Sequence, residues 1–158
     1  MDDVKGFLEN NGIDFKLYDH PPVYTCEEAE KHTKGLRGPH LKNLFLKGRK
    51  SRRFFLVVMG ADKKLDMDIL SERLGEKIKF ANEQDLMMLL GLTPGSVSFF
   101  GLLNDHGKKV ELVIEKDVWE ADFVSFHPNI NTETLEFCKD DFIKLVEIIG
   151  NKFLVLDL

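Results

Sequence analysis

The chain has 158 residues, of which 43% are hydrophobic and 31% charged, a balance typical of one globular domain and not of a disordered chain. Its net charge of −5 argues against a protein that coats nucleic acid over its whole surface. Apolar runs fall far short of the ~20 residues that cross a bilayer, and the acidic start MDDVKGFLEN has no apolar core of a signal peptide. We therefore expect a cytoplasmic protein without a membrane partner.

The net charge hides one strongly basic segment, which runs from Lys31 to Arg53. This window holds nine Lys or Arg and no acidic residue, so it carries +9 while the remaining chain carries −14. Such a block can bind a phosphate backbone, an acidic lipid or an acidic protein. It can equally be a solvated hairpin with charged tips, and charge alone favours neither interpretation.

Hydrophobic periodicity in the first half of the chain predicts short helices and strands. Predicted helices cover 3–10, 26–33 (after a capping box that begins at Thr25), 67–74 and 82–90, the last two ended by Gly75 and Gly91. Predicted strands cover 13–17, 43–47, 54–59 and 78–80. The basic turn at 48–51 joins two of these strands, so we expect a hairpin there.

The second half is predicted to contain more strands and one longer helix. An apolar strand over 97–103, a hairpin turn at 104–107 and a return strand over 110–114 come first. Strands over 122–126, 135–137 and 153–156 follow, with a helix capped by Asp140 or Asp141 and ended by Gly150. Because hairpins make antiparallel pairs, the expected fold class is α+β: a single domain over 1–158 with a mixed, largely antiparallel, barrel-like sheet and flanking helices.

Three segments can take part in chemistry, although each also has a simpler explanation. In 40–46, Lys42 stands where a loop enters a strand and can aim its ammonium into a pocket, or it can be an ordinary snorkelling lysine. In 93–102, a Pro-Gly turn can point backbone N–H groups at an anion, although most such turns are only turns. In 126–132, His127 lies at a sheet rim, where a lone histidine is more often structural.

Other kinds of site lack support in the sequence. The five histidines show no metal-binding spacing, and the GxSxG elbow, the P-loop and the Rossmann glycine pattern are all absent, so we expect no metal and no nucleotide cofactor. Cys26 and Cys138 lie far apart, which suits a reducing compartment. The pairs Phe54-Phe55 and Phe99-Phe100 are most simply core, although Phe55 or Phe99 could line a pocket.

Five motifs, taken together and in this order, carry a resemblance to a known family. They are His20-Pro21-Pro22-Val23-Tyr24-Thr25, Gly38-Pro39-His40-Leu41-Lys42-Asn43-Leu44-Phe45-Leu46-Lys47, Leu65-Asp66, Gly91-Leu92-Thr93-Pro94-Gly95-Ser96-Val97-Ser98 and Phe126-His127-Pro128-Asn129-Ile130-Asn131-Thr132. The chain resembles the YbaK/prolyl-tRNA-synthetase-associated domain family, and within it the freestanding prolyl-tRNA editing proteins. The motifs spread over most of the chain, and their combination is far more specific than any one of them.

The resemblance implies a deacylase that acts in trans on mischarged tRNA, hydrolysing the ester between a wrong amino acid and the 3′ end. The implied substrate is alanyl-tRNA carrying the proline anticodon, because a synthetase pocket sized for proline rejects a smaller amino acid by only ~1–3 kcal/mol. Cysteinyl-tRNA(Pro) is the rival substrate, and a non-catalytic module that binds aminoacyl-tRNA or a synthetase is the alternative function. The implied partners are the acceptor end of tRNA and, as a second candidate, prolyl-tRNA synthetase, without metal or cofactor.

The same resemblance implies roles for particular residues. The family's essential Lys falls on Lys42, its GxxxP loop on Gly95-Ser96-Val97-Ser98-Phe99, and its conserved His on His127. By analogy, water attacks the ester, backbone N–H groups of the loop hold the oxyanion, Lys42 orients the terminal nucleotide, and His127 orients the substrate or the loop rather than acting as a base. Phe99 stands at the loop's Pro position, where it could narrow the amino-acid pocket or alter the loop.

Two further sets of residues are expected to contact the substrate. The substrate-binding residues beside the catalytic set Lys42, Gly95 and His127 are Thr25, Asn43, Ser96, Val97, Ser98, Phe99 and Gly101. The basic window would receive the acceptor stem through phosphate contacts, which position a tRNA without reading its sequence. Its expected tRNA-binding residues are Lys34, Arg37, Lys47, Arg49, Lys50, Arg52 and Arg53.

Overall fold

The computed structural model describes residues 4–20, 35–130 and 132–158. The helix expected over 26–33 and the expected site residues Thr25 and Lys34 lie outside these ranges. The described residues form two β-sheets and several helices, which confirms the α+β class and the mixed, largely antiparallel pairing. Neither described sheet closes on itself, so the expected barrel-like arrangement is not confirmed.

The smaller sheet is antiparallel throughout. It consists of β1 (Lys16–Asp19), β6 (Phe123–Phe126) and β7 (Glu133–Cys138), with β7 in the middle. The first strand begins later than predicted, because the Ile13 N–H is bonded back to the Leu8 carbonyl at 3.0 Å and not to a neighbouring strand. The other two strands confirm the predictions over 122–126 and 135–137.

The larger sheet has five strands. They are β2 (Leu41–Gly48), β3 (Phe54–Gly60), β4 (Ile78–Phe80), β5 (Val110–Glu115) and β8 (Phe153–Leu156), in the spatial order β4–β2–β3–β5–β8. β2 and β3 form the predicted antiparallel hairpin, in which Lys42 stands opposite Met59. β4 pairs antiparallel with β2, while β5 and β8 continue the sheet in parallel on the side of β3.

The helices begin and end largely where their capping residues indicate. They are α1 (Val4–Asn10), α2 (Met67–Leu74), α3 (Glu83–Leu90), the short α4 (Lys116–Glu120) and α5 (Lys139–Ile149). Asp66 and Asn82 cap α2 and α3 with their side chains, and glycines 75, 91 and 150 end α2, α3 and α5 in the left-handed conformation. The predicted cap of α5 is wrong: Cys138 precedes the helix without a side-chain cap, and Asp140 and Asp141 lie in its first turn.

The strand predicted over 97–103 is wrong, because Phe99–Asn104 form a short 3₁₀ helix instead. The Ser98 hydroxyl caps this helix by accepting a hydrogen bond of 3.3 Å from the Phe100 N–H. The first four residues of the helix are all buried, so the run has no period that distinguishes a strand from a helix. Without this strand there is no hairpin at 104–107, and β5 pairs in parallel with β3.

Two apolar cores lie on opposite faces of the larger sheet, because alternate residues of its strands point to opposite sides. The larger core lies between the two sheets and includes Phe45, Phe99 and Phe126. The smaller core lies between the larger sheet and α2 and includes Leu46 and Leu70. Both faces of the sheet are therefore covered, as parallel pairing requires.

Candidate active site

Lys42 lies near the start of β2, where the segment 35–40 enters the larger sheet. It shares a face of the strand with Leu46, on the side of the smaller core, whereas the neighbouring Asn43 points to the side of the larger core. The Lys42 ammonium donates a hydrogen bond to the carbonyl oxygen of Lys63. The side-chain oxygen of Asn43 is buried and has no hydrogen-bond partner among the described residues.

The turn before the 3₁₀ helix is closed by a hydrogen bond of 3.0 Å from the Ser96 N–H to the Thr93 carbonyl. Gly95 has a φ of +84°, a left-handed conformation that residues with a side chain rarely adopt, and a Cβ there would meet open space. The remaining N–H groups of the turn make no hydrogen bond within the described ranges: Gly95, Val97, Ser98 and Phe99. Free backbone donors of this kind can bind an anion or a developing oxyanion.

Two side-chain hydrogen bonds join this turn and its helix to the loop after β6. Ser98 Oγ donates to the carbonyl of His127 at 2.6 Å, and Asn129 Nδ2 donates to the carbonyl of Phe100 at 3.1 Å. His127 Nδ1 and Asn129 Oδ1 are buried without a partner in the part of the chain that the structure describes. Since buried polar atoms are nearly always paired, these two atoms are available to a bound water or to a substrate.

The imidazole of His127 is held neutral by its surroundings. Burial lowers its pKa below the usual 6.5, hydrogen bonding with the Val97 backbone opposes this shift, and the nearby His20 adds to it. His20 lies at the end of β1, where its Nε2 is 2.8 Å from Thr134 Oγ1. At pH 7 His127 can therefore give or accept a hydrogen bond, but it does not carry a positive charge.

The side chain of Phe99 lies in the core and does not line an open pocket. It is fully buried, and its ring stacks on Phe126 with centroids 4.9 Å apart and meets Phe142 at 5.7 Å. Gly101 is also buried, and a Cβ there would lie 2.9 Å from the Leu92 side chain, so close packing requires the glycine. Any contact of residue 99 with a substrate therefore falls to its backbone.

The structure brings together only part of the expected site. The turn 95–99 and His127 form one joined region through Ser98, whereas the Lys42 ammonium is bonded to the turn after β3. We call residues 93–99 together with residues 127–129 the joined region. Two residues of the family motifs, His20 and Asn129, had no predicted role. Asn129 donates to the Phe100 carbonyl, and His20 lies near enough to His127 to lower its pKa. The position of Lys63 had no signal in the sequence, since a lysine in a turn has no distinctive pattern.

The basic window divides into paired and unpaired cations. Three of the residues expected to bind tRNA are tied by ion pairs of 2.7–3.2 Å: Arg37 to Glu136, Lys47 to Asp85, and Arg53 to Glu76 and Glu111. Arg49, Lys50 and Arg52 are exposed and form no ion pair with a described residue. Two of these line a cavity of about 520 Å³ at the tip of the β2–β3 hairpin, whose lining is Arg49, Lys50, Ser51, Glu76 and Lys77.

No three His, Cys, Asp or Glu side chains within 4–20, 35–130 and 132–158 are grouped so that they could hold a metal ion. No helix in these ranges is long and apolar enough to cross a membrane. Cys138 is an exposed free thiol whose Sγ lies 3.1 Å from Asp141 Oδ2.

Comparison with known proteins decides the family. The family model of the aminoacyl-tRNA editing domain matches residues 20–145, which is most of the chain. The chain belongs to the aminoacyl-tRNA editing domain family. As an editing domain it is an aminoacyl-tRNA deacylase, a hydrolase that serves the fidelity of translation.

Relatives of this editing domain match nearly its whole length. The prolyl-tRNA editing protein ProX of Acetoanaerobium sticklandii is 40% identical over 152 residues, which cover 96% of this chain and 93% of ProX. The prolyl-tRNA synthetase associated domain-containing protein 1 of Mus musculus is 31% identical over 147 residues, covering 90% of this chain and 86% of that protein.

Solved structures share the fold of this editing domain. A hypothetical protein superimposes with a TM-score of 0.76 at 20% identity, covering 96% of this chain and 97% of that one. A crystal structure of a proposed trans-editing enzyme for prolyl tRNA synthetase gives a TM-score of 0.74 at 18% identity, covering 98% and 94%. At such identities these two structures establish the fold alone.

Proposed function

We propose that this editing domain removes a wrong amino acid from tRNA(Pro) in trans, in the cytoplasm, with alanyl-tRNA(Pro) as its main substrate. The observation that carries the proposal is the joined region, which combines free backbone N–H groups with buried, unpaired atoms of His127 and Asn129. The choice of tRNA is supported by the name of the ProX relative, a prolyl-tRNA editing protein. Cysteinyl-tRNA(Pro) is the nearest rival substrate.

In the proposed reaction a water molecule attacks the carbonyl carbon of the aminoacyl ester directly, without metal or cofactor. The carbonyl oxygen becomes an oxyanion, which the free N–H groups between Gly95 and Phe99 hold, and one such donor is typically worth ~10²–10³ in rate. The ester C–O bond then breaks, one proton of the water goes to the terminal ribose oxygen, the other is released to solvent, and the amino acid leaves as a carboxylate. The neighbouring 2′-hydroxyl of the terminal ribose assists in activating the water.

His127 is proposed to orient the reacting groups rather than to take the proton. Its backbone carbonyl is bound by Ser98, so the histidine loop and the oxyanion turn are held at a fixed separation. Burial keeps the imidazole neutral, which allows Nδ1 to bond to the substrate without adding a charge. Orientation of this kind lowers the entropic cost of bringing water and ester together.

Lys42 is proposed to bind the 3′-terminal nucleotide or its phosphate. An ammonium has three N–H donors, and the Lys63 carbonyl takes one of them, so two remain for the substrate. Asn43, with its unpaired side-chain oxygen on the opposite face of β2, is proposed to contact the aminoacyl end. Selectivity for alanine over proline follows from a pocket that admits the smaller side chain and excludes the ring.

The exposed cations at the hairpin tip are proposed to hold phosphates of the acceptor stem. Arg49, Lys50 and Arg52 are unpaired within the described residues, and two of them line the hairpin cavity. Arg37, Lys47 and Arg53 would have to leave ion pairs to bind a phosphate, so we expect them to contribute less. Prolyl-tRNA synthetase is a second candidate partner, which would deliver the mischarged tRNA.

A deacylation panel tests the proposed function. Alanyl-, cysteinyl-, seryl- and prolyl-tRNA(Pro) are each incubated with the protein, and the remaining ester is measured over time. We expect alanyl-tRNA(Pro) to be lost fastest and prolyl-tRNA(Pro) to be spared. Alanine on a second tRNA shows whether the tRNA body contributes. Loss of every ester at the rate in buffer alone would overturn the proposal and favour a module that only binds charged tRNA.

Lys42→Ala tests the site within the same panel. We expect the rate to fall by about 10² or more, because positioning of the ester depends on the ammonium. The matched control is Lys64→Ala, an exposed lysine of the turn after β3 with no ion pair in the described ranges. Circular dichroism should show both variants folded, and an undiminished rate for Lys42→Ala would contradict its proposed role.

A further inference from the structure

The turn after β3, residues 61–66, holds the Lys42 side chain from outside the joined region. The Lys63 carbonyl accepts the hydrogen bond of the Lys42 ammonium. The same turn is also bonded to the chain just before Lys42, because the Ala61 N–H donates to the His40 carbonyl at 2.8 Å. The backbone of one turn thus contacts both the tip of the lysine and the start of the strand that carries it.

The Lys63 side chain anchors this turn to β5 and α4. Its ammonium lies 2.6 Å from Glu115 Oε2 and 2.7 Å from Asp117 Oδ2. Glu115 is only 2% exposed, and its other oxygen accepts a 3.0 Å hydrogen bond from the Gly60 N–H at the end of β3. Both oxygens of the buried carboxylate are therefore satisfied, as a buried charge requires.

The carboxylates in this region are paired with Lys63 and not with Lys42. Hydrogen bonds to Asp117 and then to Glu115 raise the pKa of Lys63, and the bond to Lys63 lowers the pKa of Asp117, so Lys63 and Asp117 stay ionised near pH 7. The two carboxylates are occupied by Lys63. Lys42 is bonded to a neutral carbonyl instead, so its positive charge is not cancelled by a carboxylate contact.

We propose that Lys63 is a positioning residue for deacylation, acting through Lys42. Its ion pairs with Glu115 and Asp117 fix the turn whose carbonyl orients the Lys42 ammonium, which leaves two N–H donors directed to the substrate. A flexible lysine side chain loses rotamer entropy when it is held in one position, and one fixed acceptor removes part of that cost before the substrate arrives. The inference rests on the proposed role of Lys42.

Substitutions at position 63 give the first test. Lys63→Met removes the cation from both carboxylates, Lys63→Arg retains it, and Lys64→Met is the matched control in the same turn. With alanyl-tRNA(Pro) we expect Lys63→Met to lower kcat/KM about 10-fold or more, Lys63→Arg to recover most of the loss, and Lys64→Met to match the parent protein. Full activity of Lys63→Met overturns the inference.

A double-mutant cycle distinguishes positioning from a general structural role. Lys63→Met is combined with Lys42→Ala under single-turnover conditions, and affinity for a non-hydrolysable 3′-amide analogue of alanyl-tRNA gives the same cycle where hydrolysis is too slow. If Lys63 acts through Lys42, its substitution costs nothing further once Lys42 is alanine. An equal loss in both backgrounds overturns the inference and leaves the role of Lys42 intact.

Two further outcomes are separated by the same set of variants. An undiminished rate for Lys42→Ala refutes the proposed role of Lys42 and the inference together. If Lys63→Met does not fold, Glu115→Gln replaces it in the cycle, because the amide oxygen can still accept from the Gly60 N–H while the ion pair with Lys63 is lost. The expected result is again a loss of activity that disappears in the Lys42→Ala background.

Discussion

Ser98→Ala is expected to loosen the link between the oxyanion turn and the histidine loop. Ser98 is fully buried, and its hydroxyl donates to the His127 carbonyl at 2.6 Å while accepting from the Phe100 N–H at 3.3 Å. The substitution removes the donor to a part-buried carbonyl and the cap of the 3₁₀ helix at once. Alanine fits the space, so the change isolates the hydroxyl.

The expected size follows from these two contacts. An unsatisfied buried acceptor costs ~1–3 kcal/mol, and loss of an N-terminal cap costs ~0.5–2 kcal/mol. Because one hydroxyl makes both bonds, the two costs do not simply add, and we expect about 2 kcal/mol. For a chain of this length 1 kcal/mol shifts Tm by roughly 2–4 °C, so Tm should fall by about 4–8 °C.

Thermal unfolding followed by circular dichroism, together with deacylation kinetics, measures both effects. If the hydroxyl positions His127, kcat should fall about 10-fold while KM changes little. Ser125→Ala is the control, since this serine on β6 is half-buried and makes no side-chain hydrogen bond with a described residue. A Tm within 1 °C of the parent, or an equal effect in the control, would refute the reasoning.

Two other predictions concern charge. The double substitution Arg49→Glu and Arg52→Glu should weaken tRNA binding and reduce the slope of log Kd against log salt by about 1 for each lost phosphate contact. Lys16→Glu on the smaller sheet is the control and should leave the slope unchanged. An unchanged slope in the double variant would exclude the hairpin tip as a phosphate-binding surface. Because the pKa of His127 is lowered below 6.5, the unfolded chain binds the proton first, so stability falls as pH drops from 6.5 to the folded-state pKa. His127→Asn should remove that part of the dependence in urea titrations at pH 7.5 and 5.5, and identical dependence in both proteins would contradict it.

Local signals predicted much of the fold. The ends of α2, α3 and α5 could be predicted from their glycines, because the residue with positive φ that follows a helix is usually Gly. The β2–β3 hairpin could likewise be predicted from two strand patterns on either side of a short basic turn. Each of these predictions depends on residues close in sequence, which is why each was possible without the structure.

Pairing between distant residues could not be predicted in the same way. The parallel pairing of β5 with β3 depends on how the chain crosses over, and the periodicity of either strand does not report it. The charge of the basic window was likewise overstated, because Arg37 is paired with a residue 99 positions away and Arg53 with one 58 positions away. Net charge along the sequence counts cations that the fold has already paired.

Phe99 departs from the family motif without changing where the 3₁₀ helix begins, and it adds a backbone N–H that proline lacks. It is the first residue of the 3₁₀ helix, where a proline is tolerated because its missing N–H has no partner within the helix. Phenylalanine adopts the same backbone conformation at this position and adds a ring to the core next to Phe126. The motif therefore records a helix start, and the sequence-based expectation that the ring narrows a pocket does not follow from it.

Lys42 and Asn43 point to opposite faces of β2, so one substrate can contact both only at a border of the sheet. β2 offers such a border: β4 pairs only with residues 46–48, and the last hydrogen bond on that side runs 3.0 Å from the Ala81 N–H to the Phe45 carbonyl. No described strand pairs with that side of β2 from residue 41 to 44. On the proposed function, the tRNA 3′ end lies along this border, with the stem toward Arg49, seven residues or ~23 Å farther along the chain. Lys42 and Asn43 can then both contact the substrate, because β4 pairs with β2 only from residue 46 onward and leaves this part of the border unpaired.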